Sequence, residues 1–337
     1  MNIAFCTIYG NTYAHDAYFN VDACGIGQNL LLPNKKLKEA LISNGNTVHT
    51  ADCYKTIEEI DKFVFVDVPF ESIIVSHSVI DLIKYFVKGA FLRDYFLQST
   101  RNKKEKILLI VEPKSINKAS HDQRFHKYFN KIITWEDDIV DNKKYFKYFI
   151  PQVKPDRILR VPFENKKDFV MMNSNKTSNY PNELYSERKR VIEYFENNNF
   201  SFDLFGYGWE KQHYKSYAGI SNDKLKTLSN YKYVFCYENE KDSPGYITEK
   251  IFDAFFAGCV PIYLGANNIE DFISSNTFID ARSFSRIDDM IKFVNNLKKD
   301  DYELYLQNIN VYLNSKKYLN TFDYNNFVRV LNDYIIN

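Results

Sequence analysis

A chain of 337 residues, 45% hydrophobic and 26% charged, has the make-up of an ordinary globular protein. At roughly 100–200 residues per domain its length predicts two domains. A net charge of +1 argues against a nucleic-acid partner, which calls for a basic patch or stripe. The 26 Tyr and 28 Phe suit a carbohydrate-handling surface, but an AT-rich genome would also enrich Phe, Tyr, Asn, Lys and Ile, and is the simpler cause. Cys6, Cys24, Cys53, Cys236 and Cys259 form an odd set without C-x-x-C spacing. Cys6, Cys236 and Cys259 lie in or beside apolar runs, which predicts buried free thiols in a reducing compartment. The first positive side chain is Lys35 and no apolar leader precedes it, so no signal peptide is expected. No apolar run approaches the roughly 18 residues that span a bilayer.

Asn2 to Ile8 reads as a first buried strand. A polar and aromatic loop from Tyr9 to about Asn29 is too long for a mere connector, and its Gly25-Ile26-Gly27 is too weak a pattern for a phosphate loop. Leu37, Ala40 and Leu41 then mark a helix that stops at Gly45, followed by a strand over Thr47 to Thr50, a βαβ start. Phe63 to Val68 predicts a strand, and Val79 to about Leu97 a long helix with Ile80, Ile83, Phe86 and Val87 inward. The apolar run Lys106 to Val111 reads as a central parallel strand ended by Glu112-Pro113. A helix over His121 to Phe129 and a strand over Lys131 to Trp135 follow, the strand ending in Glu136-Asp137-Asp138.

Pro151, Pro155 and Pro162 mark a linker, beyond which the alternation restarts. Strands are expected at Asp168 to Met172 and Phe202 to Phe205, with a helix between them from Ser186, as N-cap, to Glu196. Three helices are expected at the end of the chain. The chain thus divides into two Rossmann-like domains, 1–155 and 156–337, expected to face each other across a cleft.

The second half is organised around residues 231–272. Tyr233 to Tyr237 is a strand, and a loop with Ser243, Pro244 and Gly245 leads to a helix ended by Gly258 at C′. Ile251, Ala254 and Phe255 share its inner face, and Val260 to Leu264 is the next strand. Ligands of such units sit outside the carboxyl ends of the strands, where a helix start offers N–H groups and a positive dipole to a phosphate. Lys250 adds a cation there, and Glu238 or Glu249 can accept from a sugar hydroxyl. The competing reading is that Glu249, Lys250 and Asp253 form a solvated helix face.

Phe235-Cys236-Tyr237-Glu238-Asn239, Gly245-Tyr246-Ile247-Thr248-Glu249-Lys250 and Ala257-Gly258-Cys259-Val260-Pro261-Ile262 resemble the signature of the α-1,3/1,4-fucosyltransferase family, roughly F-E-N-S, Y-V-T-E-K and V-P-V/I. Asn173-Ser174-Asn175, the run from Arg188 to Phe195 and Asp203-Leu204-Phe205-Gly206 extend the likeness upstream. The resemblance implies the GT-B architecture and transfer of L-fucose from GDP-β-L-fucose to a glycan hydroxyl, with inversion and an α-1,3-type linkage. Arg188 matches the family's diphosphate-binding arginine, with Arg190 the competitor two residues on. By the same likeness Glu249 accepts from ribose, Asn239 contacts the sugar or holds an Asx-turn, and Tyr246 bonds phosphate or caps the core.

Family members carry a glutamate-containing segment ending in proline after the strand matched by Lys106 to Val111, which makes Glu112 the candidate base. That segment is contracted here to Val111-Glu112-Pro113, and Glu136 and Asp122 stand behind Glu112. No Asp-x-Asp follows a strand, and Glu136-Asp137-Asp138 lacks that spacing, so metal-independent transfer with no cofactor is expected. His121 and His126 read as surface residues without a third ligand. Golgi members of the family carry a membrane anchor; its absence points to a cytoplasmic, bacterial-type enzyme, peripheral to a membrane at most. The alternatives are a relative using another GDP-deoxysugar, a GDP-sugar-binding protein without catalysis, and an unrelated nucleotide-binding protein.

Overall fold

The computed structural model describes residues 1–23, 29–69, 72, 74–75, 94–198 and 200–337. Gly25-Ile26-Gly27 and most of the helix expected from Val79, including Ile80, Ile83, Phe86 and Val87, lie outside the described residues. The chain forms two units, Met1–Phe149 with Tyr324–Asn337, and Ile150–Asp323.

The first unit is built on β1 (Asn2–Thr7), α1 (Leu32–Ser43), β2 (Thr47–Thr50), β3 (Lys62–Val66), α2 (Tyr95–Arg101), β4 (Glu105–Leu109), α3 (Gln123–His126), β5 (Lys131–Thr134) and β6 (Tyr145–Lys147). Its strands are parallel, in the order β2-β1-β3-β4-β5-β6. Phe63, Val64, Phe65 and Val66 of β3, and Ile107, Leu108 and Leu109 of β4, are all buried. An unbroken apolar run is what a strand covered on both faces requires, and hence what made these two legible.

The second unit comprises β7 (Lys167–Met172), α4 (Tyr185–Asn197), β8 (Phe202–Phe205), β9 (Tyr217–Gly219), α5 (Lys224–Leu228), β10 (Tyr231–Tyr237), α6 (Glu249–Phe256), β11 (Val260–Leu264), β12 (Ile279–Asp280), α7 (Ile287–Asn296), α8 (Lys299–Leu313) and α9 (Lys316–Leu319). Its sheet is also parallel, in the order β12-β11-β10-β7-β8-β9. Ile251, Ala254 and Phe255 of α6 have no exposed surface, as their spacing predicts. Gly258 takes φ +65°, and a Cβ there would lie 2.7 Å from the Leu159 carbonyl oxygen. Both the left-handed turn and the close approach require glycine after α6.

The last helix, α10 (Tyr324–Ile336), belongs to the first unit, although chain order assigned it to the second domain. Lys62 Nζ donates to the Ile335 carbonyl at 2.6 Å, and Lys131 Nζ donates to that of Tyr334 at 2.7 Å. Two ammonium groups thus meet the last-turn carbonyls, which have no partner within the helix and carry the negative end of its dipole.

Local expectations differ at two further points. The helix after residue 184 begins at Tyr185, and Ser186 is not its N-cap, since its hydroxyl donates to Glu183 Oε1. His121 and His126 are not surface residues: His126 is 2% exposed and the His121 side chain 3%. Cys6, Cys53, Cys236 and Cys259 are free thiols, with Cys236 and Cys259 buried, Cys6 half-buried and Cys53 exposed. Among the described residues no helix is long and apolar enough to cross a membrane.

Candidate functional site

In the second unit the chain lays β8 and β9 to one side of β7, then returns to lay β10, β11 and β12 on the other. The reversal falls between β7 and β10, and the crevice outside the carboxyl ends of such a strand pair is where open α/β sheets bind ligands. Tyr237 ends β10 and is followed by Glu238 and Asn239. Helix α4 delivers Arg188 to the same place from its first turn. Arg188 is 3% exposed, and its Nη2 donates to the carbonyls of Tyr237 (2.7 Å) and Glu238 (2.6 Å) and to Asn239 Oδ1 (3.1 Å). All three are uncharged oxygens, so they do not neutralise the guanidinium. Its buried Nε has no hydrogen-bond acceptor. Arg190 points to solvent and pairs with Glu187 at 2.7 Å.

The loop after β10 is closed by two ties. Asn239 Nδ2 donates to the Tyr246 hydroxyl at 3.2 Å, and Tyr246 is buried. Glu238 has no exposed surface, and its carboxylate accepts from Thr248 N (2.8 Å), Thr248 Oγ1 (2.7 Å) and Lys250 Nζ (3.0 Å). Glu238 is therefore engaged with the loop and with Lys250, whereas the sequence also allowed it a sugar hydroxyl. Burial pulls the Lys250 pKa down, but Glu238 and Glu249 outweigh it and the net shift is upward. Lys250 stays charged, and its side chain keeps 18% of its surface exposed. Thr248, which sequence reasoning did not single out, is the residue that ties β10 to the start of α6.

Glu249 lies 3.5 Å from Lys250 with 42% of its side chain exposed. Burial raises its pKa, but Lys250 and Lys224 outweigh that and lower it to about 2. A second missed pair, Lys224 with Asp253, joins α5 to α6 beside it. A carboxyl depressed in this way stabilises the fold above its ordinary value of 4.5, and that contribution disappears as the pH falls through about 2. Between pH 5 and 2 the wild type should therefore lose more stability than Glu249→Gln, read as the difference in their urea midpoints.

In the first unit the order reverses between β1 and β3, and acidic groups gather at the carboxyl ends of β3, β4 and β5. The Tyr9 hydroxyl, after β1, donates to Glu112 Oε1. Asp67, after β3, accepts from Val111 N at 3.0 Å and from Glu112 N at 3.1 Å. His121 Nε2 lies 2.8 Å from the Glu112 carbonyl oxygen, and its Nδ1 lies 2.7 Å from Glu136 Oε2. Lys114 Nζ donates to Glu136 Oε1 at 3.0 Å. Burial raises the Glu136 pKa, but His121 and Lys114 bring the net shift below the ordinary value. Asp122 caps α3 through Arg124 N and pairs with the Arg124 guanidinium. The structure thus gives Glu136 and Asp122 partners of their own.

Among the described residues, metal-ligating types meet in two groups, His15 with Asp52 and Cys53, and Asp16 with His49 and Cys53. Asp16 already holds Lys38 Nζ at 2.7 Å, so an ammonium occupies the place of a cation there.

Residues 163–328 match the family model described as glycosyltransferase family 10 (fucosyltransferase), C-terminal. These residues belong to glycosyltransferase family 10. An α-(1,4)-fucosyltransferase of Arabidopsis thaliana is 38% identical over 73 residues, 22% of this chain and 18% of the relative. The 4-galactosyl-N-acetylglucosaminide 3-α-L-fucosyltransferase 9 of Mus musculus is 33% identical over 125 residues, 35% of this chain and 32% of the relative. The α-(1,3)-fucosyltransferase FucT of Helicobacter pylori is 35% identical over 72 residues, 21% and 15% of the two chains. These matches span about a third or less of the relatives' own length. Over whole folds, a crystal structure of an α1,3-fucosyltransferase with GDP-fucose aligns at TM-score 0.53 and 16% identity, covering 91% of this chain and 81% of the other. T4 phage BGT in complex with UDP and Mn2+ aligns at 0.53 and 15%, covering 99% of each. The fold is that of the GT-B glycosyltransferases, carried by two parallel six-stranded sheets. The family-10 match contains Arg188, Glu238, Asn239, Tyr246, Glu249 and Lys250, whereas Glu112 precedes it.

Proposed function

We propose that the protein is an inverting fucosyltransferase, moving L-fucose from GDP-β-L-fucose to a hydroxyl of an acceptor glycan in an α-1,3-type linkage, without a metal ion. The observation that carries this reading is the buried Arg188 guanidinium, hydrogen-bonded only to uncharged oxygens and close enough to Lys250 for the two charges to interact, at the strand-order reversal of a family-10 unit. When the acceptor oxygen bonds to the anomeric carbon, the bond from that carbon to the diphosphate breaks and GDP gains negative charge. Arg188, Lys250 and the N-terminal turn of α6 are fixed positive groups that stabilise this charge as it develops. Fixed cations of this kind are the support for metal independence.

Glu249, with its low pKa and partly exposed carboxylate, accepts from ribose hydroxyls. Tyr246 and Asn239 position phosphate and fucose, Glu238 holds Lys250 in place, and Glu112 takes the acceptor's proton. Attack on the face opposite the leaving diphosphate turns a β-linked donor into an α-linked product. The free cysteines support a cytoplasmic setting. A second reading, transfer from another GDP-deoxysugar, is favoured by the fact that contacts to phosphate and ribose do not read the sugar ring.

The test is transfer by the wild-type protein across an acceptor glycan panel with several GDP-sugars, with and without EDTA. The expected result is fucosyl transfer undiminished by the chelator. Binding of GDP-fucose with no transfer over days would instead indicate a non-catalytic binding protein, and transfer abolished by EDTA would overturn metal independence.

A further inference from the structure

Glu112 is held at three separate points, and the one that takes its N–H is a carboxylate. Asp67 is the residue after β3, 1% exposed, with φ +66°, a left-handed conformation that aspartate tolerates better than most residues. Its own N–H donates to the Leu109 carbonyl at 2.9 Å, which keeps it against the end of β4. From there Oδ1 accepts from Val111 N at 3.0 Å, and Oδ2 accepts from Glu112 N at 3.1 Å. One buried carboxylate therefore takes both N–H groups of the turn that carries Glu112. The turn is closed from the other side by His121 at the Glu112 carbonyl, and the Glu112 side chain is met by the Tyr9 hydroxyl.

We propose that Asp67 is a positioning residue of the transfer reaction, fixing through two backbone N–H groups where Glu112 presents its carboxylate to the acceptor. This rests on the reading of Glu112 as the base. A second acid buried next to the base is otherwise unfavourable, because each negative charge opposes the other. Burial, and after it the charge of Glu112, hold the Asp67 pKa up at about 7. The ionisation of Asp67 is therefore coupled to the charge of Glu112. The groups facing Asp67 are Tyr9 after β1, Tyr18 in the loop that follows, Ser120 before α3, Tyr148 after β6 and Glu112 itself. The cation Lys114 is directed to Glu136 instead, and the His121 ring bridges Glu136 and the Glu112 carbonyl.

The decisive variant is Asp67→Asn, which keeps the shape but turns an NH2 group toward one of the two N–H donors. Turnover should fall by about 10- to 100-fold, the loss expected when a reacting group is displaced by an ångström or less. The donor KM should stay unchanged. The Asp67 carboxyl, held at about 7, ionises within the working pH range, so the wild-type turnover–pH profile should show an inflection near pH 7 that Asp67→Asn lacks. A purely structural role would lower turnover with that inflection retained, and a retained inflection or unchanged turnover would overturn the proposal. Titration of the protein labelled with 13C at glutamate carboxyls reads the same coupling without any reaction: the Glu112 resonance should shift as Asp67 ionises near pH 7 in the wild type, and that step should be absent from Asp67→Asn. If the wild type transfers no fucose, the proposed function fails, while this titration still decides whether Asp67 governs Glu112. Should Asp67→Asn not fold, Ser120→Ala removes a donor from the Asp67 carboxyl, raises its pKa, and should move that step to higher pH.

Discussion

Replacing Lys250 with alanine should lower turnover with GDP-fucose by at least about a hundredfold, the loss typical when one preorganised electrostatic group is removed from a transition state. The same substitution strips the fully buried Glu238 of its counterion, and breaking a buried pair from one side costs about 3–5 kcal/mol. The two effects must be separated. In the double variant Lys250→Ala/Glu238→Gln, the neutral amide still accepts from Thr248 through its oxygen, so much of the lost stability should return. Turnover should not, because no cation is restored beside the diphosphate. Thermal unfolding and steady-state rates on the wild type, the single and the double variant give the comparison. Intact turnover in Lys250→Ala would remove the cationic pocket from the reaction altogether.

That pocket was largely legible in the sequence because its parts are contiguous. The strand Tyr231–Tyr237, the loop and α6 lie within some thirty residues, and their apolar periodicity marks which side chains go inward. Arg188 came from a different segment, and sequence alone left Arg190 as its rival. Helical geometry separates the two, since residues two apart do not share a face. One is buried at the end of β10 and the other is in solvent with Glu187. What stayed hidden depended on sheet order. Asp67, Glu112, His121 and Glu136 follow or precede different strands, and only the parallel register of β3, β4 and β5 brings them together. The return of α10 to the first unit was invisible for the same reason, because the lysines that receive it lie on β3 and β5. The short strands β6, β9 and β12, of two or three residues, offer too few positions for an alternation to register. Ser186 shows the opposite failure: the residue type favoured a cap, but its hydroxyl found the Glu183 carboxylate instead.

Glu112→Gln should lower turnover by about 10²- to 10⁴-fold, the usual contribution of a positioned base, while GDP-fucose binding measured by calorimetry stays at the wild-type level. Glutamine keeps the length of the side chain and an oxygen that still accepts from the Tyr9 hydroxyl, and the Asp67 contacts to the backbone are untouched. The variant therefore removes proton acceptance and little else. Glu136→Gln is the matched comparison, since Glu136 follows the neighbouring strand and lies on the other side of His121. Its carboxylate balances Lys114 and His121, so neutralising it should lower the unfolding temperature and leave turnover within about tenfold of wild type. The reverse pattern, with Glu112→Gln active and Glu136→Gln inactive, would assign the base to Glu136, and Asp67 would then serve only to hold the fold.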